Sequence, residues 1–149
     1  MLTHIEQKTL PYTPQQMFDL VAAVDKYAEF APWCIASRIN VRESESVFYA
    51  DLIVGYKLFR ERFSSKVMID PPEGDKSGKI EIEYLKGPLK HLKNHWLFIP
   101  AENGQCTVDF SVEFEFKNSM LHGIAKVFFN EVIRRMVTAF EARAKELYS

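Results

Sequence analysis

The stretch CTVDFSVEFEFK (residues 106–117), followed by NSMLHGIAKVFFNEVIRRMVTAFEARAKELYS (118–149), decides the fold. In its first part every second residue is apolar, and these residues are Cys106, Val108, Phe110, Val112, Phe114 and Phe116. This period of two predicts a β-strand with one dry face. In the second part apolar residues recur every three or four positions, which predicts a helix over about 120–147, capped by Asn118 or Ser119 and roughly 42 Å long. A helix of this length needs a partner surface, and the dry face of a sheet offers one.

The period of two also runs through most of the chain upstream of residue 106. Turn sequences at Gly55, 71–78, Gly87-Pro88 and 100–105 divide this region. We expect strands near 35–43, 46–54, 56–69, 79–85, 91–99 and 106–117, and a weaker one over 1–9. Because the turns between them are short, neighbouring strands should pair antiparallel.

The N-terminal region carries signals for two short helices. Thr13 can serve as the N-cap, with Pro14 in the first turn and Gln16 completing a capping box. Asp25 can cap a second short helix that continues through Phe30. The predicted fold class is therefore α+β, with a curved antiparallel sheet of about seven strands around a long C-terminal helix and two short N-terminal helices. We expect one domain over residues 1–149.

Composition excludes several classes of protein. Hydrophobic residues make up 47% and charged residues 26% of the chain, as in ordinary globular proteins rather than disordered ones. A formal net charge of -1 gives no global attraction to DNA or to an anionic membrane. The two cysteines, Cys34 and Cys106, indicate neither a disulfide framework nor a zinc site. Residues 1–10 lack the apolar run of a secretory signal, and no apolar run reaches the ~18 residues of a membrane span.

The usual signatures of catalysis and metal binding are absent from the sequence. His91 and His95 are four residues apart on a predicted strand, about 13 Å from each other, so they cannot share one metal ion. The sequence has no GxSxG nucleophile motif and no GxGxxG dinucleotide motif. Cys34 is more readily explained as an inert buried thiol than as a nucleophile. We therefore expect no catalytic residue, no metal and no enzymatic activity.

Small and polar residues on an otherwise apolar sheet face suggest a cavity. Ser65 and Asn94 interrupt such faces, although each could equally form a local hydrogen bond. If the apolar faces of sheet and helix converge, the cavity between them is lined by Leu52, Phe63, Trp96, Phe98, Phe128 and Met136. We expect Pro32 and Trp33, in the loop after the short helices, to form part of its entrance, because an indole suits a boundary between lipid and water.

One cluster of basic residues has no acid among them: Lys86, Lys90, His91, Lys93 and His95. It has two interpretations. In the first, the lysines belong to a solvated hairpin and pair across strands with Glu81 and Glu83. Alternatively, Lys86, Lys90 and Lys93 form a docking patch for phosphates of a membrane or a nucleic acid.

Three segments resemble a known family. They are PYTPQQMFDLVAAVDKYAEFAPWC (11–34), GPLKHLKNHWLF (87–98) and FSVEFEFKNSMLHGIAKVFFNEVIRRMVTAFEARAKELY (110–148). Together they resemble the coenzyme Q-binding proteins of the START-like superfamily, which includes polyketide cyclases and lipid carriers. The resemblance implies a helix-grip fold and non-catalytic binding of ubiquinone or a similar polyprenyl quinone in support of respiration. Similar bacterial members are described as toxins that bind the large ribosomal subunit and block subunit association.

Three functional hypotheses follow. The first is a quinone carrier or chaperone in which the lipid is a bound ligand and no other cofactor is needed. The second is a ribosome-binding inhibitor that uses the hairpin from Lys86 to His95 together with Arg134 and Arg135. The third is a cyclase or hydrolase, which requires a polar cavity with acid–base groups. The expected location is the cytoplasm, with possible peripheral contact at the cytoplasmic face of the inner membrane and no DNA partner.

Overall fold

A computed structural model describes residues 1–56 and 59–149. Within these residues it contains one seven-stranded sheet with the order β1-β7-β6-β5-β4-β3-β2, in which every neighbouring pair is antiparallel. The strands are β1 (Leu2–Leu10), β2 (Cys34–Arg42), β3 (Val47–Tyr56), β4 (Phe59–Asp70), β5 (Gly78–Lys86), β6 (Leu89–Pro100) and β7 (Cys106–Phe116). The predicted fold class is confirmed.

Two α-helices accompany the sheet. They are α1 (Pro14–Ala22) and α2 (Ser119–Tyr148), and short 3-10 helices span Val24–Glu29 and Glu102–Gly104. The predicted capping box forms, because the Gln16 amide donates to Thr13 Oγ1 at 3.0 Å and the Thr13 amide donates to Gln16 Oε1 at 2.9 Å. Asn118 caps α2 by accepting from the amides of Met120 and Leu121. No helix in the described residues is long and apolar enough to cross a bilayer.

Two local predictions were wrong. Asp25 does not cap the second short helix; this segment is a 3-10 helix preceded by Ala23, and no side chain caps it. Gly55 is not a turn but lies within β3, paired with Arg60. A Cβ at Gly55 would collide with Ile35 Cδ1, so Gly55 lets the Ile35 side chain pack closely against β3 and does not form a turn. The predicted strand over 56–69 includes residues 57 and 58, which lie outside the described residues.

The turn between β5 and β6 also depends on a glycine. Gly87 has a φ of +152°, and a Cβ there would lie 2.8 Å from both the Arg62 carbonyl oxygen and Tyr84 Oη. That hydroxyl oxygen accepts a hydrogen bond from the Leu89 amide at 2.9 Å. The sequence Gly87-Pro88 therefore reverses the chain where β4 leaves no room for a side chain.

The two ends of the sheet differ in how they are covered. We call the half that contains the starts of β3, β5 and β7 the closed end, and the half that contains the ends of these strands the open end. Helix α1 and the C-terminal part of α2 pack on the closed end. The buried core lies there and includes Met17, Phe18, Leu20, Val21, Phe48, Val67, Ile80, Phe98, Cys106, Phe140 and Ala144. The open end has no comparable core among the described residues.

Candidate functional site

The inner face of the sheet, which faces α2, carries a row of aromatic side chains on β6 and β7. The register places Trp96 beside Phe110, with ring centroids 4.6 Å apart. Trp96 also contacts Phe140 of α2 at 5.5 Å and stacks with Phe98 at 6.2 Å. The alternation that predicts the strands therefore aligns several rings on one surface, which suits a flat apolar ligand.

At the closed end this surface is fully packed. Phe98 has no exposed surface and meets the ring of Phe18 edge-on at 5.8 Å. Tyr27 and Phe30 cover Phe140 in the same way, at 5.4 Å and 5.1 Å. Phe98 therefore belongs to the core and not to the wall of an open space, although the sequence placed it with the cavity residues.

A small apolar cavity of about 60 Å³ lies between the sheet and the C-terminal part of α2. Its lining residues include Leu10, Met17, Trp96, Val108, Phe110, Met136, Val137 and Phe140. Two of the six predicted lining residues, Trp96 and Met136, are among them. Ligand pockets usually measure about 300–1,000 Å³, so this cavity alone cannot hold a quinone ring.

A larger groove of about 380 Å³ adjoins the cavity, between β1 and α2. Its lining residues are His4, Glu6, Lys8, Asn130, Ile133, Arg134, Val137, Thr138 and Glu141. Glu6, Lys8, Val137 and Glu141 line both spaces, so the groove and the cavity share a wall. Sequence reasoning missed this groove. The signal was present in β1, where His4, Glu6 and Lys8 alternate on the side that also carries the apolar Leu2 and Leu10.

The open end leaves the inner face half-covered. Leu52 and Phe63 are directly paired across β3 and β4, and both are half-buried. Phe116 meets Phe59 edge-on at 6.2 Å, and Phe114 contacts Phe129 of α2 at 5.6 Å. The rings at this end therefore touch one another but lack the cover that α1 supplies at the closed end.

Helix α2 presents Phe129, not Phe128, to the sheet. Phe128 is 47% exposed, whereas the ring of Phe129 contacts His4 at 6.4 Å as well as Phe114. The structure thus does not bring the predicted lining residue Phe128 to the inner face. The sequence has two adjacent phenylalanines, and helical periodicity alone placed the apolar stripe one residue too early.

Pro32 and Trp33 lie at the open end, immediately before β2. Both are half-buried, and the ring of Trp33 meets Tyr56 edge-on at 6.2 Å. Trp33 has a φ of +63°, which is costly for a bulky residue. Its carbonyl oxygen accepts from the Gly55 amide at 2.9 Å, which ties the strained residue to β3. Such strain is retained most often at functional positions.

Of the two polar residues that suggested a cavity, Asn94 forms local hydrogen bonds. The Asn94 amide donates to the Ser111 carbonyl at 2.9 Å, and Asn94 Oδ1 accepts from Trp96 Nε1 at 3.2 Å. Asn94 thus orients the indole ring rather than lining an empty space. Ser65 is half-buried and sits between Ala50 and Tyr84 in the sheet.

Comparison with known proteins identifies the family. Residues 10–141 match the family described as "Polyketide cyclase / dehydrase and lipid transport". The chain belongs to this family. Over 99% of its length it is 36% identical to the coenzyme Q-binding protein COQ10 homolog B, mitochondrial, of Xenopus laevis, and it spans 59% of that relative's length. It is 33% identical to the ribosome association toxin RatA of Rickettsia prowazekii, with 99% of both chains covered.

Solved structures support the same fold at low identity. The human StAR-related lipid transfer protein 5 superposes with a TM-score of 0.80 at 8% identity and covers 99% of this chain and 77% of its own. The Zhui aromatase/cyclase from Streptomyces sp. R1128 superposes with a TM-score of 0.77 at 12% identity over 97% and 93% of the two chains. These similarities extend the helix-grip fold of the family to this chain.

The family's name includes cyclases, which require acid–base groups, and the groove contains titratable residues. His4 Nε2 lies 3.0 Å from Glu6 Oε1, and Lys8 is in direct contact with Glu141. The hydrogen bond and the charge of Glu141 raise the pKa of Lys8, so this amine stays protonated and is a poor general base. Burial raises the pKa of Cys34, and that of Cys106 to about 11, so neither thiol is activated. The described residues contain no cluster of potential metal ligands.

The basic hairpin is partly neutralised by acids of neighbouring strands. Lys90 lies 3.7 Å from Glu115, and His91 lies 2.8 Å from Glu113. Lys93 is exposed and sits in register between Glu83 and Glu113. Lys86 is exposed at the end of β5, opposite Ser64. The three lysines proposed for docking thus have different surroundings, and Lys86 and Lys90 lie nearest the open end.

Proposed function

We propose that this protein binds ubiquinone or a similar polyprenyl quinone without catalysis, as a carrier or chaperone that supports respiration. The observation that carries the proposal is the half-covered aromatic surface at the open end, where Leu52, Phe63, Phe114 and Phe116 face α2. Aromatic and aliphatic side chains of this kind gain most from burial by an apolar ligand, at about 25 cal/mol per Å² of apolar surface. The coenzyme Q-binding relative supports the choice of a quinone over other lipids.

The ligand would enter from the open end. The closed-end cavity of about 60 Å³ is too small for the ring, so the ring and first isoprene units would lie between the half-covered inner face and α2. Each isoprene unit offers about 3 kcal/mol of burial at ~0.8 kcal/mol per CH₂, and a few units would suffice for micromolar binding. The rest of a long tail would remain in a membrane or a partner.

Pro32 and Trp33 would form part of the entrance. Trp33 combines an apolar ring, a polar edge and a strained backbone at the end where the sheet is uncovered. The full-length match to bacterial relatives such as RatA of Rickettsia prowazekii supports a location in the cytoplasm or at the cytoplasmic face of the inner membrane. The raised pKa values of Lys8, Cys34 and Cys106 make these three groups poor bases or nucleophiles, which favours binding over enzymatic turnover.

Lipid analysis tests the proposal most directly. Protein purified from its native host should release a polyprenyl quinone on solvent extraction, detected by mass spectrometry. In a fluorescence titration with a short-tailed quinone, Leu52→Ser should weaken binding at least fivefold. Tyr49→Ser, on the opposite face of the same strand, is the matched control and should change the affinity less than twofold. A protein that releases no quinone and does not bind one in solution would contradict the proposal.

Ribosome binding is a second candidate. The ribosome association toxin RatA of Rickettsia prowazekii matches this chain over 99% of both lengths. Lys86 and Lys93 are exposed, and so are Arg134 and Arg135 on α2, although Arg135 pairs with Glu131 at 3.0 Å. Co-sedimentation with large ribosomal subunits should then fall steeply as salt is raised. Lys93→Glu should reduce it, and unchanged co-sedimentation would exclude the hairpin as the contact.

A further inference from the structure

The exposed apolar side chains are concentrated at one end of the molecule. Among the described residues eleven large apolar side chains are exposed. Eight of them lie at the open end and form what we call the apolar rim: Met1, Ile35, Tyr56, Leu85, Met120, Ile124, Val127 and Phe128. The other three, Ile5, Val41 and Leu147, lie apart from the rim. A concentrated apolar surface of this kind marks an interaction site, whereas scattered apolar residues do not.

The most exposed members of the rim lie on the first turns of α2. Val127 is 76% exposed and Met120 is 71% exposed. Leu85 lies at the end of β5 and Ile35 at the start of β2, so both are on strands of the sheet. The rim therefore includes both the helix and the strands at the open end, where the mouth of the proposed ligand site lies.

Charged residues are also distributed unevenly between the open end and the closed end. At the open end the exposed charged residues in the described part of the chain include the bases Arg60, Lys86, Lys90, Lys117 and Lys126. Among the acids of this half, Glu61, Glu113 and Glu115 are half-buried, Glu115 pairs with Lys90, and the exposed Glu83 is in register with Lys66 and Lys93. The turns of the closed end carry five exposed acids and one exposed base, Lys76; the acids are Glu43, Glu45, Glu73, Asp75 and Glu102. Although the net charge of the chain is -1, its open end is basic and its closed end is acidic.

We propose that the apolar rim inserts into the surface of an anionic lipid bilayer, with the surrounding basic residues against the lipid headgroups. This inference rests on the proposed function, since it places the mouth of the lipid site at the membrane. Apolar side chains bordered by lysine and arginine are the combination that binds such an interface. The acidic closed end is repelled by the same surface, so the charge division orients the molecule with its mouth toward the lipid.

The test measures vesicle binding without any quinone, so that docking is separated from ligand binding. Vesicles of phosphatidylcholine, with or without phosphatidylglycerol, are floated with the wild-type chain and with the double variant Met120→Asp/Val127→Asp. Ile5→Asp is the matched control, because Ile5 is as exposed as Met120 at 71% but lies on the outer face of β1. Circular dichroism and thermal unfolding check that all three proteins are folded.

We expect the wild type to float with phosphatidylglycerol vesicles and the double variant to bind at least tenfold more weakly. The control should stay within about twofold of the wild type. Lys86→Glu should reduce binding to the anionic vesicles more than Lys93→Glu, because Lys86 lies at the basic end and Lys93 lies between two acids. A double variant that floats like the wild type, or a control that is lost equally, would overturn docking through the rim.

Titration with a short-tailed quinone in solution separates the two proposals. If the double variant binds quinone normally but no longer floats, docking is supported and the site is intact. If the wild type floats through the rim but binds no quinone, docking stands and the proposed function fails. Sedimentation analysis tests whether the apolar rim instead binds a second copy of this chain. A wild-type dimer that the double variant converts to a monomer, with vesicle binding unchanged, would make the rim a subunit interface and overturn the proposal.

Discussion

The closed end of the sheet is fully packed, whereas the open end of the same sheet is only partly covered. At the closed end α1 and the last turns of α2 bury Val21 to 1% and Phe98 to 0% exposure. At the open end the same sheet and the same helix leave Phe128 about half exposed. The contrast indicates that the free energy of folding is concentrated at the closed end. The open end can then leave its apolar surface free for a ligand, because it does not have to stabilise the fold.

The largest expected effect comes from comparing two phenylalanines of α2, one at each end of the sheet. Phe140 is 7% exposed and packs against Tyr27, Phe30 and Trp96, so Phe140→Ala should lower the free energy of unfolding by about 3–5 kcal/mol. Phe128 is 47% exposed, so Phe128→Ala should cost less than about 1 kcal/mol. Urea unfolding of the two variants measures both values. Equal losses would mean that the two ends contribute alike and would break the comparison.

A buried hydroxyl group tests the closed end more finely. Tyr27 Oη donates to the Val21 carbonyl in the last turn of α1, and burial raises the pKa of Tyr27. Tyr27→Phe keeps the ring contacts but leaves that carbonyl without its donor, so the free energy of unfolding should fall by about 1–2 kcal/mol. Thermal and urea unfolding measure the change.

Tyr12→Phe is the matched control for this hydroxyl. The Tyr12 hydroxyl lies 3.5 Å from Ser149 Oγ near the surface, so its removal should change stability by less than about 0.5 kcal/mol. If both variants lose the same free energy of unfolding, the buried hydroxyl of Tyr27 stabilises the fold no more than the surface hydroxyl of Tyr12 does.

The sequence predicted the architecture because its signals are local. Alternation in Cys106–Phe116, the capping box at Thr13 and the turn at Gly87-Pro88 each specify backbone geometry within a few residues. Gly55 was misread because its role depends on Ile35, a contact between strands distant in sequence. Local rules cannot distinguish a glycine required by a turn from one required by a close neighbour.

The site was harder to predict than the fold. Whether an inward-facing side chain lines a space or fills one depends on what packs opposite, so Phe98 and Trp96 looked alike in sequence although only Trp96 lines the cavity. The choice between Phe128 and Phe129 depends on the exact rotation of α2, which helical periodicity leaves uncertain by one residue. The polar groove was not predicted because the alternation over residues 1–9 does not show which strand and helix this segment packs against.

The smallest effect concerns how β2, β3 and β4 are held together at the middle of the sheet. On the outer face Asp51 accepts from Ser64 Oγ at 2.8 Å and lies 3.3 Å from Arg62 and 3.8 Å from Arg38. Burial alone would raise the pKa of Asp51, but hydrogen bonds from Ser64 and Asn40 and the two arginine charges together lower it. The carboxylate thus links three strands whose inner faces remain partly uncovered.

Replacing Asp51 should therefore give a small loss that depends on pH. Because Arg38 and Arg62 are 67% and 60% exposed, solvent screens their charges, and Asp51→Asn should cost less than about 1 kcal/mol at neutral pH. A carboxyl group with a lowered pKa stabilises the folded state above its unfolded pKa of about 3.9, and this contribution is lost as pH falls through the folded value. Urea unfolding from neutral pH to about pH 3 should show the two proteins converging below about pH 4, while Asp75→Asn in an exposed loop stays close to the wild type throughout. A difference that persists undiminished at the lowest pH would mean that the amide acts through altered packing, and the charge of the carboxylate would then not be what holds the three strands together.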